Sequence, residues 1–285
     1  MIVVTVATGK LGSRIVGQLV AQVPASAVGV SVTDVAEASH LQARGVRVRR
    51  GDFTDPATLA EAFEGAEQVL IVSAAIVGDG GAAANVAAID AARAAGAGRI
   101  LYTSHQGSSA TSLFPAMITH ARTEDHLAGA GVPYVALRNG FYSSTLDTYA
   151  EEALTTGRLV APEDGPVSWT GHDDLAAAAA AVLTGGEPGV TPTLTAPEML
   201  DFAAVAAVLS EITGRTITRV VAGDEEWVET TVARGVPRRY AEFGLGVFRA
   251  ARRGEFAVAD PTLEKLIGRP AESVRTKLEG ALAGH

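Results

Sequence analysis

Short runs rich in β-branched residues alternate with longer, alanine-rich amphipathic segments through residues 1–140. This alternation is typical of repeated βαβ units around a parallel sheet. Strands covered by helices on both faces lack period-two alternation, and the runs with this character are residues 2–6, 27–32, 46–50, 68–73, 99–103 and 134–138. The helices predicted between them are residues 11–22, 36–43, 55–63, 81–95 and 119–130. The sequence therefore predicts an α/β fold with a doubly wound parallel sheet.

Beyond residue 138 the pattern is less regular. The predicted elements are helices at 146–157, 173–183, 202–213, 225–235 and 271–283, a loop at 165–169 that leads into a short strand, and strands at 193–195 and 216–221. The segment 249–255 is interpreted either as part of a substrate lid or as a solvated turn. We therefore expect a first domain at residues 1–145 and a smaller C-terminal α/β lobe at residues 146–285, interleaved with the end of the sheet.

Charge and composition exclude several functions. Lys and Arg total 23 against 32 Asp and Glu, for a net charge of −9, so binding to a nucleic-acid backbone by counterion release has no electrostatic support. The chain has no cysteine, which excludes disulfides, thiolate nucleophiles and iron–sulfur clusters. We expect a cytoplasmic protein without a membrane segment, because neither a leader pattern nor a span-length apolar run is present. The expected partner is a small-molecule substrate, and a homodimer is left open.

The strongest local signal is the glycine-containing turn at residues 5–12, which follows the first predicted strand and opens the first predicted helix. Such a turn presents backbone N–H groups and a helix N-terminus to a pyrophosphate. Gly9 and Gly12 fit the second and third glycines of a GxxGxxG spacing, but Val6 takes the first place. A β-branched residue does not easily adopt the conformations that glycine allows there, so Val6 is expected to push the turn off its usual path. The residues of the turn predicted to bind a dinucleotide are Ala7, Thr8, Gly9, Lys10 and Leu11.

Further motifs follow in order along the chain: GDFTD at 51–55, YTS at 102–104, HARTE at 120–124 and LRNGFY at 137–142. With the turn at 5–12, they resemble the NmrA-like group of the atypical short-chain dehydrogenase/reductase superfamily. Within that group the sequence is most similar to the type 2 NAD(P)H:quinone oxidoreductases. The resemblance implies a Rossmann-like sheet and hydride transfer from NAD(P)H to a quinone or a related conjugated electrophile.

The resemblance also implies where the cofactor lies. An acidic and an aromatic side chain after the third strand, Asp52 and Phe53, would hold the adenine by hydrogen bonding and stacking. Small and polar residues at the ends of the fourth and fifth strands would border the nicotinamide, and the loop after the sixth strand would close over it. The cofactor-binding residues predicted beyond the turn are Thr33, Asp34, Asp52, Phe53, Ser73, Ala74, Thr103, Asn139 and Phe141.

The end of the second strand departs from the resemblance. Quinone reductases of this type carry a basic residue there for the 2′-phosphate of NADPH, whereas this chain has Thr33 followed by Asp34. An aspartate repels a phosphate dianion and accepts from a ribose hydroxyl. NAD is therefore expected to be favoured over NADP, with Lys10 as a partial offset. Val6 and Thr33 both differ from the residues that the resemblance implies at positions that contact the cofactor. Cofactor binding is therefore expected to be weak.

The proton relay of the alcohol-oxidising short-chain dehydrogenases is missing. Those enzymes use a Tyr-x-x-x-Lys pair, which this chain lacks. The expected chemistry is instead direct hydride transfer to an acceptor whose oxygens take protons from water. His120, Ser104 and Tyr142 are the candidate catalytic, pocket-lining residues, and proton transfer by His120 is left open. No histidine and carboxylate spacing suggests a metal site.

Two other functions stay open from the sequence. One is an NmrA-like regulator that senses a dinucleotide without catalysis, favoured by the altered turn. The other is a non-redox enzyme, such as a cyclase or isomerase, that retains the pocket and has lost cofactor use. Whether a dinucleotide occupies the turn at Gly9 separates the non-redox enzyme from the oxidoreductase and the regulator, and catalysis separates the last two.

Overall fold

The computed structural model describes residues 1–283. Its strands are β1 Ile2–Thr5, β2 Val28–Val32, β3 Arg47–Arg50, β4 Gln68–Ile71, β5 Arg99–His105, β6 Tyr134–Asn139, β7 Phe141–Tyr142, β8 Arg158–Pro162, β9 Trp169–Thr170, β10 Gly189–Val190 and β11 Thr218–Ala222. Its α-helices are α1 Lys10–Val20, α2 Ser39–Gln42, α3 Pro56–Phe63, α4 Asp79–Ala94, α5 Pro115–Gly129, α6 Leu146–Thr156, α7 His172–Gly185, α8 Phe202–Thr213, α9 Asp224–Ala233, α10 Arg238–Arg252, α11 Thr262–Ile267 and α12 Val274–Ala283. Short 3₁₀ helices cover Ala25–Ala27, Val35–Ala38 and Ser143–Thr145.

Seven parallel strands form the central sheet in the order β10-β6-β5-β4-β1-β2-β3. The chain builds outward from β1 to β3 on one side and then returns to β4 on the other, so the strand order reverses between β1 and β4. Ligands of such sheets bind outside the carboxyl ends of the strands at this reversal. Just beyond these ends, the Thr5 hydroxyl accepts a hydrogen bond from the N–H of Val72 at 2.9 Å.

Helices cover both faces of the sheet, which confirms the predicted Rossmann-like, doubly wound fold. On one face, Ile15 of α1 and Leu175 of α7 belong to one apolar core, to which α11 also contributes. On the other, Phe63 of α3, Ile89 of α4 and Leu127 of α5 belong to a second core. Each of these five side chains is fully buried. Burial of such a side chain contributes about 1.5–3 kcal/mol, so the two cores hold the sheet rigid beneath its carboxyl edge.

A third core lies in the smaller lobe, where β8 pairs with β11 and the side chains of α6, α8, α10 and α12 meet. Its largest members are Trp169, Phe202, Phe248 and Phe256. The division into 1–145 and 146–285 stays a prediction, and the chain crosses it twice. Helix α7 packs on α1, and β10 extends the central sheet beside β6.

The helices predicted at 55–63, 81–95 and 119–130 are each followed by a glycine with left-handed backbone: Gly65, Gly96 and Gly131 have φ of 69°, 82° and 72°. These values favour glycine because it has no Cβ. They are three of the eleven glycines with positive φ in the described part of the chain.

The predicted strand at 193–195 is wrong. The strand at this edge is β10, and Leu194 makes only an isolated bridge with Asn139. Between them stands Pro192, which has no N–H to give to the ladder, so the pairing with β6 is interrupted.

Helices α10 and α11 have no counterpart in the sequence prediction. The segment 249–255, expected to be a lid or a turn, begins inside the last turn of α10. Ala241, Leu245 and Phe248 are buried at helical spacing. Gly244 and Gly246 interrupt that pattern with residues of low helix propensity, which explains why the helix escaped prediction.

The turn between β1 and α1 consists of the four residues 6–9. Val6 is the one non-glycine residue within 1–283 with positive φ, 49°, so this β-branched residue takes the left-handed backbone that glycine would adopt without strain. Its carbonyl oxygen accepts a hydrogen bond from the Gly9 N–H at 3.0 Å. A Cβ on Gly12 would collide with that same oxygen. The third glycine of the turn is therefore required by the packing of α1 on the end of β1.

We expect Gly12→Ala to lower the free energy of unfolding by about 1–3 kcal/mol, because the new methyl group overpacks against rigid backbone. Gly17→Ala in the same helix is the matched control. A Cβ there meets no atom within 4 Å, and the substitution should stabilise the protein by up to about 1 kcal/mol. Urea denaturation of both variants measures the difference. Equal stabilities would contradict the close approach at Gly12.

Candidate active site

Helix α1 begins at the carboxyl edge of β1 without any side-chain cap. Gly9 is its N-cap residue, and the first turn carries no acidic side chain. The first N–H groups of a helix have no intrahelical acceptor, and they form an anion-binding site at the positive end of the helix dipole. Ala7 and Leu11 are buried, so these two predicted residues offer backbone rather than side chains. Thr8 and Lys10 are exposed.

A cavity of about 210 Å³ lies beside this turn, across the ends of β1, β2 and β3. Its lining residues are Val6, Thr8, Ser31, Val32, Thr33, Gly51, Asp52, Phe53, Thr54, Ala74, Ala75 and Ile76. Hydrogen bonds from the hydroxyl and N–H of Thr54, at 2.7 and 2.8 Å, hold the pKa of Asp52 below its usual value. Asp52 is therefore a fixed, ionised acceptor next to the Phe53 ring. We name this space the adenosine cavity.

Asp34 does not line the adenosine cavity. Its carboxylate accepts a hydrogen bond from the Ala36 N–H at 2.8 Å and caps the short helix Val35–Ala38. Thr33 is the residue at the end of β2 that faces the cavity. The acidic group expected near the ribose is thus engaged in local structure.

A second cavity, of about 340 Å³, continues from the first across the ends of β4 and β5. Residues 74–76 line both cavities. The second is lined by Ser73, Ala74, Ala75, Ile76, Val77, Gly78, Thr103, Ser104, His105, Phe114, Ala116, Met117, Thr119, His120, Phe141, Tyr142 and Phe243. We name it the aromatic cavity. Its walls are mostly apolar, with a few polar groups on one side, as is usual for small-molecule sites.

All three candidate catalytic residues, Ser104, His120 and Tyr142, line the aromatic cavity. Asn139 does not: it is buried, and its side chain hydrogen-bonds to Tyr142. Burial raises the pKa of Tyr142, so its hydroxyl stays protonated near neutral pH. Asn139 therefore orients a lining residue from behind the wall.

The hydroxyl proton of Ser104 is engaged in a hydrogen bond within the protein. It donates to Oε1 of Glu124, whose two carboxylate oxygens also accept from Nε and Nη2 of Arg138 at 3.1 and 2.7 Å. Glu124 is buried, and a buried carboxylate needs such a partner to remain charged. The pair fixes the floor of the cavity, and Ser104 retains only lone pairs to offer a ligand.

His120 is held by a buried chain of polar groups. Its Nδ1 lies 2.7 Å from the hydroxyl of Tyr102, which accepts from Nδ2 of Asn85 at 3.2 Å. Burial lowers the pKa of His120 to about 4 and raises that of Tyr102. At neutral pH His120 is a neutral imidazole and Tyr102 a neutral phenol. Neither exchanges a proton with a substrate as an imidazolium or a phenolate.

Several large apolar side chains that line this cavity are not predicted from the sequence. Phe114, Met117 and Phe243 come from α10 and from the segment that opens α5, and no local motif marks them. His105 is not among the site residues predicted from the sequence. Its position immediately after Ser104 on β5 was the one available signal.

Within residues 1–283, no group of three or more His, Asp or Glu side chains is arranged to hold a metal ion. Over the same residues, no helix has both the length and the apolar composition to cross a membrane.

The turn, the adenosine cavity and the position at the strand reversal together define a dinucleotide-binding α/β protein. A family model described as NAD(P)H-binding matches residues 7–185. The chain belongs to this family and, within it, to the NmrA-like group of atypical short-chain dehydrogenase/reductases. The resemblance drawn from the motifs is thereby confirmed.

Two named relatives and one solved structure cover nearly the whole chain. Quinone oxidoreductase 2 of Escherichia coli (strain K12) is 34% identical over 282 residues, 96% of this chain and 97% of that protein. The NAD(P)H azoreductase of Xenophilus azovorans is 30% identical, over 96% of this chain and 95% of that protein. The crystal structure of an Escherichia coli NADPH-dependent quinone oxidoreductase complexed with NADPH has a TM-score of 0.92 at 32% identity, over 99% of this chain and 100% of that chain.

The buried neutral His120 should make stability depend on pH. Its pKa is about 4 in the folded protein against 6.5 for an unperturbed histidine. As the pH falls from about 6.5 to 4, the unfolded chain takes up a proton that the folded protein does not, so stability is lost with acid. His120→Gln removes this contribution, and its free energy of unfolding should fall less than that of the wild type between pH 7 and pH 4.5. Urea denaturation at both pH values checks this, and parallel losses would contradict it.

Proposed function

We propose that this protein is an NAD(P)H-dependent reductase of quinones or related planar, conjugated electrophiles. The observation that carries the proposal is the continuity of the two cavities at residues 74–76. A dinucleotide with its pyrophosphate at the α1 N-terminus and its adenosine beside Phe53 would extend past residues 74–76 to the aromatic cavity, which Thr103 also lines. When bound, the reduced nicotinamide supplies the hydride.

The residues of the turn fit a pyrophosphate. Gly9 has no side chain between the helix N-terminus and the cavity, and a Cβ there would lie 3.2 Å from the Val6 carbonyl oxygen. The small side chains of Ser73 and Ala74 continue the open path along the ends of the strands. The remaining requirement for hydride transfer is a dry space next to the nicotinamide.

The aromatic cavity supplies that space. Phe114 and Phe141 tilt toward each other with ring centroids 6.3 Å apart, and the His105 ring meets the Phe141 ring edge-on at 5.3 Å. Flat, rigid walls of this kind bind planar ligands without a large entropy cost. The relatives are named as a quinone oxidoreductase and an azoreductase, and quinones and azo compounds are both conjugated acceptors, which supports the same class here.

Alcohol oxidation is not supported by the site. Tyr142 lines the aromatic cavity and Tyr102 is fully buried behind its polar wall, and burial raises the pKa of both. Tyr102 hydrogen-bonds to a histidine, not to a lysine. No group here lowers a phenol pKa as the Tyr-x-x-x-Lys pair does.

We expect the purified protein to oxidise NADH or NADPH in the presence of simple quinones and to show negligible activity on secondary alcohols. Gly9→Val should abolish cofactor binding while the protein still folds, because its methyl groups fill the space that the pyrophosphate needs. Cofactor absorbance with each acceptor measures the activity, and circular dichroism checks the fold of the variant. Alcohol oxidation that depends on Tyr102, Tyr134 or Tyr142 would overturn the proposal, and undiminished cofactor affinity in Gly9→Val would place the ligand elsewhere.

The choice between NADH and NADPH is a finer part of the proposal. None of the described residues that line the adenosine cavity is Lys or Arg. The solved relative is NADPH-dependent, whereas Thr33 in this chain offers a 2′-phosphate no ion pair. We therefore propose weak binding of both cofactors, with an affinity for NADH at least as high as that for NADPH.

The homodimer and the cytoplasmic location stay predictions.

Thr33→Arg should tighten NADPH selectively, since a charge-assisted hydrogen bond contributes about 1.5–3 kcal/mol, or roughly tenfold to a hundredfold in affinity. Val6→Gly should tighten both cofactors, because it removes an exposed β-branched side chain that lines the adenosine cavity at the turn. Calorimetric titration of the wild type and both variants gives the affinities. Submicromolar NADPH binding by the wild type would show that these two departures matter little.

A further inference from the structure

His105 is built into the wall of the aromatic cavity beside His120. It is the last residue of β5. Its ring stacks on the His120 ring, with centroids 6.0 Å apart and planes at 25°. The rings of Phe141 and Phe256 meet it edge-on at 5.3 and 5.6 Å. Three rings therefore hold this imidazole in one orientation.

The backbone sets the tautomer of His105. The N–H of Gly107 donates to Nδ1 of His105 at 3.1 Å. A backbone N–H is only a donor, so Nδ1 carries no proton, and in the neutral ring the proton lies on Nε2. The Gly107 backbone lies close to its neighbours: a Cβ there would be 2.7 Å from the Phe256 ring and 3.1 Å from the Met117 sulfur.

The tautomer of His120 follows from the chain of groups behind it. Oδ1 of Asn85 accepts from the Ala74 N–H at 3.1 Å, which turns the Asn85 amino group toward the hydroxyl of Tyr102. That hydroxyl accepts from Asn85, and its closest acceptor for its own proton is Nδ1 of His120, at 2.7 Å, against 3.3 Å for the Ser73 hydroxyl. His120 therefore also carries its proton on Nε2.

Both rings line the cavity, and no hydrogen bond joins either Nε2 to another group within residues 1–283. We propose that the Nε2–H groups of His105 and His120 form a donor pair that binds the substrate oxygen on which negative charge develops during reduction. This inference rests on the proposed function and assigns the atoms that stabilise its transition state. His105 and His120 are then catalytic residues, while Tyr102 and Asn85 position His120.

The electron count of the step shows why donors are needed there. With a para-quinone, the C4–H bond of the reduced nicotinamide breaks and its hydrogen and electron pair form an O–H bond at one quinone oxygen. An electron pair moves through the ring to the opposite oxygen, which becomes a phenolate. Water supplies the proton that later neutralises it. Fixed donors aimed at such an oxygen stabilise the transition state because they need no reorganisation when the charge appears.

Neutral imidazoles suit this role. Burial lowers the pKa of both histidines, that of His105 well below its ordinary value. The titratable side chains near the two histidines are Tyr102, Tyr142 and Glu124. The Glu124 carboxylate is paired with Arg138. A neutral N–H is a hydrogen-bond donor and a far weaker acid than a phenol, so the pair binds the oxyanion without losing its protons.

The test compares two variants that lose the Nε2 donor in different ways. His105→Phe keeps a ring in the stack, whereas His105→Asn keeps an oxygen that can accept from the Gly107 N–H, as in an Asx-turn. The matched control is His126→Phe on α5, where the histidine hydrogen-bonds to Asp90 away from the cavity. Steady-state kinetics with a para-quinone and direct titration of NADH are measured on all four proteins.

We expect kcat to fall roughly a hundredfold in both His105 variants, as for the loss of one oxyanion donor. The change in KM should be far smaller, and the affinity for NADH and the activity of the control should be unchanged. A wild type that binds NADH and does not reduce quinones refutes the proposed function. A wild type that reduces quinones, with kcat retained in both His105 variants, refutes the donor pair alone. If only His105→Phe loses activity, the asparagine amide, which carries N–H donors of its own, can replace Nε2–H. Equal binding of the phenolate by the wild type and His105→Phe then refutes the donor pair.

A binding measurement keeps the inference testable without turnover. 4-Nitrophenol mimics the phenolate product, and its absorbance reports its ionisation. With oxidised cofactor present, the wild type should bind the phenolate form at least roughly tenfold more tightly than His105→Phe, the loss of one charge-assisted hydrogen bond. Equal binding would overturn the donor pair. Should the variants not fold, ¹⁵N spectra of the wild-type histidines decide: Nε2–H on both rings supports the pair, and Nδ1–H on His105 refutes it.

Discussion

The carbonyl oxygen of Val6 is the contact on which the geometry of the site depends. It accepts the Gly9 N–H, and Gly12 packs directly against it. Helix α1 therefore begins at the carboxyl edge of the sheet and points its unpaired N–H groups along that edge. Val6 achieves this with a left-handed backbone that costs a β-branched residue of the order of 1–2 kcal/mol, and the cores on both faces of the sheet hold it in place.

Consecutive side chains at the end of β5 have different roles in the candidate site. Its residues alternate in direction, as in any strand. The Tyr102 side chain lies in the core with side chains of α4 and α5 and hydrogen-bonds to His120. The Thr103 hydroxyl accepts a hydrogen bond from the Ser73 N–H at 2.8 Å. Ser104 is bonded to Glu124, and His105 stacks on His120. Thr103, Ser104 and His105 thus line the polar wall of the aromatic cavity, and Tyr102 positions His120 from behind that wall.

The features predicted correctly from the sequence are those that a local pattern of residues determines. The βαβ alternation predicted the sheet, and the position of Gly9 and Gly12 after the first strand predicted the turn. The same reasoning placed Asp34 at the cofactor, where the structure shows a helix-capping carboxylate, because capping and ribose binding use the same residue type at the same place. It named Asn139 as a cofactor residue, and the structure shows it behind Tyr142.

The remainder of the site depends on contacts distant in sequence. Phe243 reaches the cavity from α10, and Phe256 packs on His105 from beyond that helix. The hydrogen bond from Gly107 that sets the His105 tautomer is local, but its importance appears only when His120 is seen stacked on the same ring. Periodicity and motifs carry no information about such pairings.

The central claim is that a dinucleotide bound at the Gly9 turn delivers its hydride to a planar acceptor in the adjoining aromatic cavity. A single-turnover experiment tests it most directly: protein in excess is loaded with reduced cofactor and mixed anaerobically with one equivalent of a para-quinone. The account predicts loss of the reduced-cofactor absorbance in a one-to-one ratio with hydroquinone formed, much faster than with free cofactor. A protein that holds the reduced cofactor and leaves the quinone unreduced, or reduces it no faster than free cofactor does, would contradict it.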